Sequence, residues 1–179
     1  MAKVNDTCEP LSFYGLSKLS SENYLKLFSK QGLKYSILRL FNVYGVNQDM
    51  KNLRQGMISI YLAQLLKSNT VIVKGSLKRF RDFIYIDDVV STLYGCYVKS
   101  KTNNKIYNVS TGVKTSVREV LEILSNNLNS NIKIINKQGT PGDQFGIFSH
   151  SKDLKMTMKF KSFIPISDGI KKMVKSYKK

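Results

Sequence analysis

Residues 14–45 read YGLSKLSSENYLKLFSKQGLKYSILRLFNVYG, and this stretch decides the fold. Between Tyr14 and Ser29 the apolar residues recur near the 3.6-residue period of an α-helix. Gly32 then ends the helix, and the mostly apolar run at residues 35–41 predicts a short strand. A loop rich in Asn and Gly is expected from Asn42 to about Asn52. The stretch therefore predicts a helix, a turn, a strand and a loop, in that order.

The remainder of the chain continues this alternation. Strands are predicted at residues 71–73, 83–86, 106–109 and 132–135. Helices are predicted at residues 57–66, from an N-cap at Asp87 to Tyr97, behind a Ser116–Glu119 capping box, at residues 153–158, and from an N-cap at Ser167 to Tyr177. Strands that alternate with helices indicate an α/β protein with a largely parallel sheet. A start on a helix is unusual for that class, so we expect the first βα units of the fold to lie outside this chain.

Composition excludes several classes of protein. The 179 residues suffice for one domain or part of a larger one, and the 42% of hydrophobic residues can form a real core. No apolar run approaches the roughly 20 residues that span a bilayer, and the N-terminus does not resemble a secretory signal. Two cysteines and a single histidine do not form a metal-binding pattern. We therefore expect a cytoplasmic protein with no metal and no membrane partner.

The charge is strongly positive, because 29 Lys and Arg residues face 12 Asp and Glu residues, which leaves +17. Such a balance favours anionic partners, among them nucleic acids, membranes and phosphorylated small molecules. The lysines are spread along the chain, and the only dense block is the C-terminal tail from Lys171 to Lys179. This distribution is typical of a solvated basic surface. We expect no specific nucleic-acid partner, only weak binding that salt suppresses.

Tyr14 and Lys18 form a candidate catalytic pair. They lie four residues apart on the first predicted helix, so their side chains share one face. A phenol loses its proton only at about pH 10, but a neighbouring ammonium group favours the phenolate. The pair could take a proton from a sugar or alcohol hydroxyl while hydride leaves the same carbon. Most Tyr-x-x-x-Lys patterns are simply exposed neighbours on a helix, so only the surrounding sequence can indicate whether this pair is catalytic.

That surrounding sequence resembles a known family. Residues 10–18, PLSFYGLSK, followed by Glu22, resemble the active-site helix of the extended short-chain dehydrogenases/reductases. Residues 38–45, LRLFNVYG, and residues 81–89, RDFIYIDDV, are similar to two further motifs of that family. Residues 107–109, YNV, and 141–143, PGD, follow in the family's order and spacing. The branch that the chain most resembles is the NAD-dependent epimerase/dehydratase family.

The resemblance implies both a fold and a reaction. The fold would be an incomplete Rossmann-type parallel sheet, without its N-terminal βα units, joined to the family's small C-terminal substrate-binding domain. Residues 1–52 would belong to the NAD-binding part and residues 53–179 mainly to the substrate domain, with one or two elements around residues 83–110 returning to the Rossmann sheet. The implied activity is that of a nucleotide-sugar epimerase of the UDP-hexose 4-epimerase type. The alternatives are a 4,6-dehydratase or decarboxylase of the same family, and a non-catalytic remnant that binds nucleotide sugars.

Site residues follow from the matched motifs. Tyr14 would be the acid/base, and Lys18 would also hold the nicotinamide ribose of NAD. The turn formed by Phe41, Asn42 and Val43 would line the nicotinamide and the substrate diphosphate, with Asn42 the most direct contact. The remaining implied contacts are to a UDP-sugar: Arg81 on the diphosphate, Asp143 on the nucleotide ribose, and the backbone of Val71, Ile72 and Val73 beside the uracil.

The sequence also departs from the family's pattern. None of its 11 glycines forms the Gly-x-x-Gly-x-x-Gly turn that lets a backbone approach a pyrophosphate. The segment that would carry a catalytic Ser or Thr ahead of Tyr14 is absent, and Thr140 stands where many relatives have an arginine. We therefore expect an incomplete NAD site and no activity from this chain alone. A separate N-terminal half, or a homodimer partner, would be needed to complete it.

Overall fold

The structure is a computed structural model that describes residues 1–139 and 144–177. Within these residues the helices are α1 (Phe13–Ser29), α2 (Met57–Lys67), α3 (Ile86–Val98), α4 (Val117–Leu128), α5 (Lys152–Met158) and α6 (Ile166–Tyr177). The strands are β1 (Ser36–Leu40), β2 (Asn42–Tyr44), β3 (Thr70–Lys74), β4 (Phe80–Arg81), β5 (Phe83–Tyr85), β6 (Lys105–Val109), β7 (Thr115–Ser116), β8 (Lys133–Lys137) and β9 (Gly146–Ile147). The chain thus alternates helices and strands, as the sequence predicts.

Parallel pairing dominates the sheets. β1 pairs with β6, β2 with β5, and β3 with β8, all in parallel. β4 is the central strand of a small three-stranded sheet, parallel to β9 and antiparallel to β7. The predicted α/β class with a largely parallel sheet is therefore confirmed. Among the described residues no helix is both long and apolar enough to cross a bilayer.

The loop predicted from Asn42 onwards is wrong for its first three residues. Asn42–Tyr44 form β2, in register with Phe83–Tyr85 of β5. The cause is tertiary packing, because Tyr44 is only 3% exposed and makes edge-on ring contacts with Phe83 and Tyr85, at centroid distances of 6.1 and 5.5 Å. Local Asn and Gly content indicated a loop, but burial of the Tyr44 ring holds this segment extended.

Two helix starts also differ from the expected ones. Asp87 lies in the first turn of α3 rather than at its N-cap, because the helix follows directly on β5 and its N-cap is Tyr85. Asp87 and Asp88 still carry negative charge at the positive end of the helix dipole. Ser167 is likewise inside α6, which begins one residue earlier.

The core has two parts. The larger cluster packs β2, β3 and β5 against α2, α4 and α6. The smaller cluster lies between α3, β6 and α5; its buried members are Ile84, Val89, Tyr107, Val109, Leu154, Met158 and Phe163. Each fully buried apolar side chain of this kind contributes about 1.5–3 kcal/mol relative to exposure. These two clusters hold the segments that carry the candidate site.

The predicted capping box of α4 is confirmed and gives a first testable prediction. Ser116 Oγ accepts from the Glu119 backbone N–H (3.1 Å), and Glu119 Oε2 accepts from the Ser116 backbone N–H (2.7 Å). We expect Glu119→Ala to lower the free energy of unfolding by about 1 kcal/mol at pH 7, measured by urea denaturation. Glu122→Ala, which removes an exposed carboxylate from the same helix, should lower the free energy of unfolding by no more than about 0.5 kcal/mol.

The same pair of variants should show a defined pH dependence. Hydrogen bonds from Ser116 lower the pKa of the Glu119 carboxyl in the folded protein. A lowered folded pKa means that the carboxylate's contribution is present above the unfolded pKa, about 4.3, and is lost as the pH falls below it. The difference between Glu119→Ala and Glu122→Ala should therefore shrink in acid. A difference that stays constant down to acid pH would contradict the capping role of this carboxylate.

Candidate active-site cleft

Tyr14 and Lys18 lie in the first two turns of α1. The helix starts at the expected point because Ser12 Oγ accepts from the Gly15 backbone N–H at 3.0 Å. The Lys18 ammonium nitrogen lies 5.3 Å from the centre of the Tyr14 ring. The phenol itself is 71% exposed and stands at the edge of a cleft. The structure thus brings the two residues of the predicted pair together.

A bidentate ion pair fixes α1 against β1. Arg39 on β1 donates from Nε and Nη2 to the two carboxylate oxygens of Glu22 on α1, both at 2.8 Å. Its Nη1 also donates to the Val4 carbonyl at 2.9 Å. The Glu22 hydrogen bonds raise the pKa of Arg39 further above its usual value. Because planar bidentate pairs restrict orientation, this contact sets the position of α1 and hence of Tyr14.

The cleft beside Tyr14 has a volume of about 720 Å³ and lies at the carboxyl end of β1. In open α/β sheets this is where ligands bind. Phe41, Asn42 and Val43, all predicted site residues, line it together with Tyr14. Lys18 lines a neighbouring groove of about 520 Å³ between α1 and β1, which shares Tyr14 with the cleft. Four polar residues of the cleft were missed from the sequence: Gln48, Asp49, Asn52 and Gln55.

Asn42 is held in the cleft wall by the neighbouring strand. Its backbone N–H donates to the Asp82 carbonyl at 3.1 Å, and its side-chain Nδ2 reaches the same oxygen at 3.4 Å. The Asp82 carboxylate in turn is completely buried. The position of Asn42 therefore depends on the segment that also carries Arg81.

A second cavity, of about 430 Å³, adjoins the cleft and is basic. The two cavities share Gly56 and Met57 at the start of α2. Arg54, Lys74 and Arg79 all line the second cavity. Arg79 is only 9% exposed, and its guanidinium donates to the Ser76 carbonyl (3.3 Å) and to the Lys74 carbonyl. The sequence analysis did not include Arg79 among the candidate site residues. The signal that could have found it is its position two residues before Arg81.

Arg81 lines neither the cleft nor the basic cavity, but it interacts electrostatically with Arg79 and Tyr61, which line the basic cavity. Its guanidinium donates to the carbonyls of Phe80 (2.8 Å) and Phe145 (3.4 Å). Burial and the neighbouring Arg79 guanidinium lower the pKa of Arg81. Burial raises the pKa of the nearby Tyr61 phenol, and the two arginines oppose that rise. Two guanidinium groups at close range create a positive potential that suits a phosphate group.

The strand whose backbone is predicted to border the uracil is β3, and its side chains alternate between the core and the basic cavity. Val71 and Val73 are fully buried in the larger core cluster. Ile72 faces the other way and lines the basic cavity. Its backbone N–H donates to Gln64 Oε1 at 2.7 Å. Thr140 and Asp143 lie outside the described residues.

Residues 1–139 and 144–177 contain no group of three or more His, Cys, Asp or Glu side chains that could hold a metal ion. The groups at the cleft and its neighbouring groove are a phenol beside an ammonium group, a side-chain amide and backbone groups. Such a set can hold or transfer a proton at a hydroxyl group of a bound ligand.

Comparison with known proteins identifies the family. The sequence model of the NAD dependent epimerase/dehydratase family matches residues 2–110. A Methanocaldococcus jannaschii protein, provisionally named UDP-glucose 4-epimerase, is 34% identical over 171 residues, which are 95% of this chain and 54% of that protein. The chain thus spans about half the length of the curated relatives it matches.

Solved structures agree with this comparison. UDP-glucose 4-epimerase from Thermotoga maritima, determined with UDP-glucose, matches with a TM-score of 0.89 and 29% identity over 95% of this chain and 54% of that one. UDP-N-acetylglucosamine 4-epimerase from Methanobrevibacter ruminantium, in complex with UDP-N-acetylmuramic acid, matches with a TM-score of 0.92 and 27% identity, over 98% and 56% of the two chains. By its fold and by the family model that covers most of its length, the chain belongs to the NAD-dependent epimerase/dehydratase family of enzymes.

Proposed function

We propose that the chain carries the acid/base and nucleotide-sugar sites of an epimerase of the UDP-hexose 4-epimerase type. The observation that carries the proposal is the position of Tyr14 on the wall of a cleft that adjoins a basic cavity, with Lys18 beside it in the neighbouring groove. A UDP-sugar consists of a sugar, which reacts, a diphosphate in the middle and a uridine at the other end. The cleft beside Tyr14 suits the sugar, and the cavity beside Arg79 and Arg81 suits the diphosphate.

In the proposed reaction the protein's own residues transfer one proton and position the sugar. The Lys18 ammonium favours the phenolate form of Tyr14, which takes the proton of the C4 hydroxyl group and so becomes a neutral phenol. NAD, when bound, supplies the acceptor for the hydride that leaves C4. The 4-keto sugar turns in the cleft between Asn42 and the loop that carries Gln48. The neutral Tyr14 phenol then returns its proton to the C4 oxygen, which restores the hydroxyl group in the opposite configuration.

The residues of this chain fit only part of an NAD molecule. Tyr14 and Lys18 share a groove along β1, and Phe41–Val43 line the cleft next to it, which suits the nicotinamide and its ribose. No glycine-rich turn exists in the sequence to cradle the pyrophosphate. We propose that an N-terminal half or a homodimer partner completes the cofactor site, and that this chain alone is inactive.

Arg81 provides a direct test of the diphosphate site. We expect Arg81→Gln to weaken the binding of UDP to the purified chain by about 10–100-fold, because a charged hydrogen bond contributes about 1.5–3 kcal/mol. Isothermal titration calorimetry measures the effect, and urea denaturation checks that the variant is folded. Arg118→Gln, an exposed arginine in the first turn of α4, is the matched control. If both variants bind UDP with equal affinity, Arg81 does not bind the diphosphate.

The reaction itself needs the completed enzyme. The chain is linked to the part of the T. maritima enzyme that lies outside the matched region, then incubated with NAD and UDP-glucose and examined by NMR. Conversion to UDP-galactose supports the proposal. A 4-keto-6-deoxy product, or loss of carbon dioxide from a UDP-uronic acid, would replace it by the dehydratase or decarboxylase alternative. Binding of UDP-glucose by calorimetry with no turnover of any of these substrates would favour the non-catalytic remnant.

A further inference from the structure

The last helix, α6, contacts the segment at the end of β2 through both of its own ends. At its first residue, the Ile166 carbonyl accepts a hydrogen bond from the Tyr44 hydroxyl at 3.4 Å. At its last residue, the Tyr177 hydroxyl donates to the backbone carbonyl of Gln48 at 2.5 Å. The partners are 122 and 129 residues apart in the sequence. Residues 44–48 are thus held against one distant helix at two points.

α6 also packs closely on this segment. Gly169 faces the Tyr44 ring, and a Cβ atom at this glycine would overlap the Tyr44 hydroxyl oxygen. Such close packing leaves the helix little freedom to shift. Tyr177 is half-buried and packs against the larger core cluster. The ring whose hydroxyl donates to Gln48 is therefore itself fixed by the core.

Gln48 carries this contact to the cleft. It lines the cleft beside Tyr14 and also a third cavity, of about 530 Å³, so it belongs to the wall that the two share. A Cβ atom at Gly56 would overlap the Gln48 Nε2 atom, so the side chain lies tightly against that backbone. Gln48 Oε1 is buried and makes no hydrogen bond within the described part of the chain. Because this oxygen has no partner there, the position of Gln48 depends on the bond that Tyr177 donates to its backbone.

The basic cavity does not share this contact. Neither Gln48 nor Tyr177 lines it, and it meets the cleft only at Gly56 and Met57. In the placement proposed above, the sugar lies in the cleft and the diphosphate lies beside Arg79. Small displacements of a positioning group can strongly reduce the fit of the part of a ligand that it contacts. A shift of Gln48 should therefore affect the sugar and leave the nucleotide contacts in place.

We propose that Tyr177 is a positioning residue for the sugar, because its hydroxyl holds Gln48 in place in the cleft wall. The proposal rests on the function proposed above, which assigns the cleft to the sugar. Tyr177 does not line the cleft and acts through Gln48. Without the hydroxyl, the Gln48 carbonyl loses its donor, and the segment moves until water can replace it. The expected consequence is weaker binding of a UDP-sugar with unchanged binding of UDP.

Tyr177→Phe tests the proposal, because it removes the hydroxyl and keeps the ring in the core. Isothermal titration calorimetry of the full chain measures the affinities for UDP and for UDP-glucose, and urea denaturation checks that the variant is folded. We expect UDP-glucose to bind about 3–10-fold more weakly and UDP to change by less than about 1.5-fold, as for the loss of one neutral hydrogen bond at the sugar. Tyr97→Phe, which removes a hydroxyl from an 88% exposed ring on α3, is the matched control and should change neither affinity.

A double-mutant cycle shows whether Tyr177 acts through Gln48. In a Gln48→Ala chain the positioned side chain is gone, so the further change Tyr177→Phe should weaken UDP-glucose binding by less than about 1.5-fold. A merely structural role would lower the affinities for UDP and UDP-glucose together, or add the same factor in both backgrounds. Either of these results would overturn the proposal.

The same titrations separate this inference from the proposed function. If the unsubstituted chain binds UDP-glucose and the Tyr177→Phe chain binds it with equal affinity, only the positioning role of Tyr177 is wrong. If the unsubstituted chain does not bind UDP-glucose, whether or not it binds UDP, the cleft does not hold the sugar. The proposed function is then wrong as well.

Discussion

Tyr14→Phe is expected to lower kcat of the completed enzyme by about 10²–10⁴-fold, because the ring stays in place while the group that transfers the proton is lost. The phenol stands at the edge of the cleft, 71% exposed, with the Lys18 nitrogen 5.3 Å from its ring centre. KM for the UDP-sugar should change by less than about threefold, since the variant keeps the diphosphate contacts. Steady-state kinetics of the linked enzyme with UDP-glucose provide both values.

A second tyrosine on the same helix makes the comparison specific. Tyr24 is 62% exposed and lines neither the cleft nor the groove beside it, so Tyr24→Phe removes a phenol oxygen from the same helix without changing the cleft. Its kcat should equal that of the unsubstituted enzyme. A Tyr14→Phe enzyme with normal kcat would exclude Tyr14 as the acid/base. A fall in kcat for both variants would instead indicate a disturbed α1.

Local sequence signals predict the elements near the cleft well. The Ser12 cap, the helical period after it, Gly32 and the apolar run 35–41 are all contiguous, so local sequence is enough to predict where α1 and β1 lie, although β1 pairs with the distant β6. The Tyr14–Lys18 pair follows from the same local rule, since residues four apart on a helix are neighbours. The family motifs added the cleft residues Phe41, Asn42 and Val43, which the structure does place beside Tyr14.

Long-range contacts account for what the sequence does not predict. β2 exists because Tyr44 packs against Phe83 and Tyr85, some forty residues away in the sequence. The ion pair of Arg39 with Glu22 couples a strand to a helix, and only the charge of Arg39 within an apolar strand hints at it. Alternation within β3 would have indicated that Val71 and Val73 face one way and Ile72 the other, but not which side holds the cavity. In each of these cases the structure depends on packing against a segment that is distant in the sequence.

Asp82 is the residue on which the assembly of the site most depends. Its carboxylate is completely buried and accepts hydrogen bonds from Thr111 (backbone N–H and Oγ1, both 2.7 Å), from the Gly112 N–H (3.0 Å) and from the Ser149 N–H (3.3 Å). Its backbone carbonyl accepts from Asn42. One residue thus ties the strand of Arg81 to the cleft wall and to two distant loops. Buried donors that lose such a partner retain their full desolvation penalty.

Asp82→Asn is therefore expected to lower the free energy of unfolding by about 2–4 kcal/mol, since the new amide N–H₂ faces two backbone N–H groups that it cannot accept from. Asp87→Asn is the matched control: it makes the same change of charge five residues away, at an exposed side chain whose ion-pair partner Lys172 lies 3.6 Å distant. Its effect should stay within about 0.5 kcal/mol. Urea denaturation at neutral pH measures both. If the two variants unfold at the same urea concentration, the buried carboxylate does not hold these segments together, and the position of Asn42 in the cleft must depend on β2 and β5 alone.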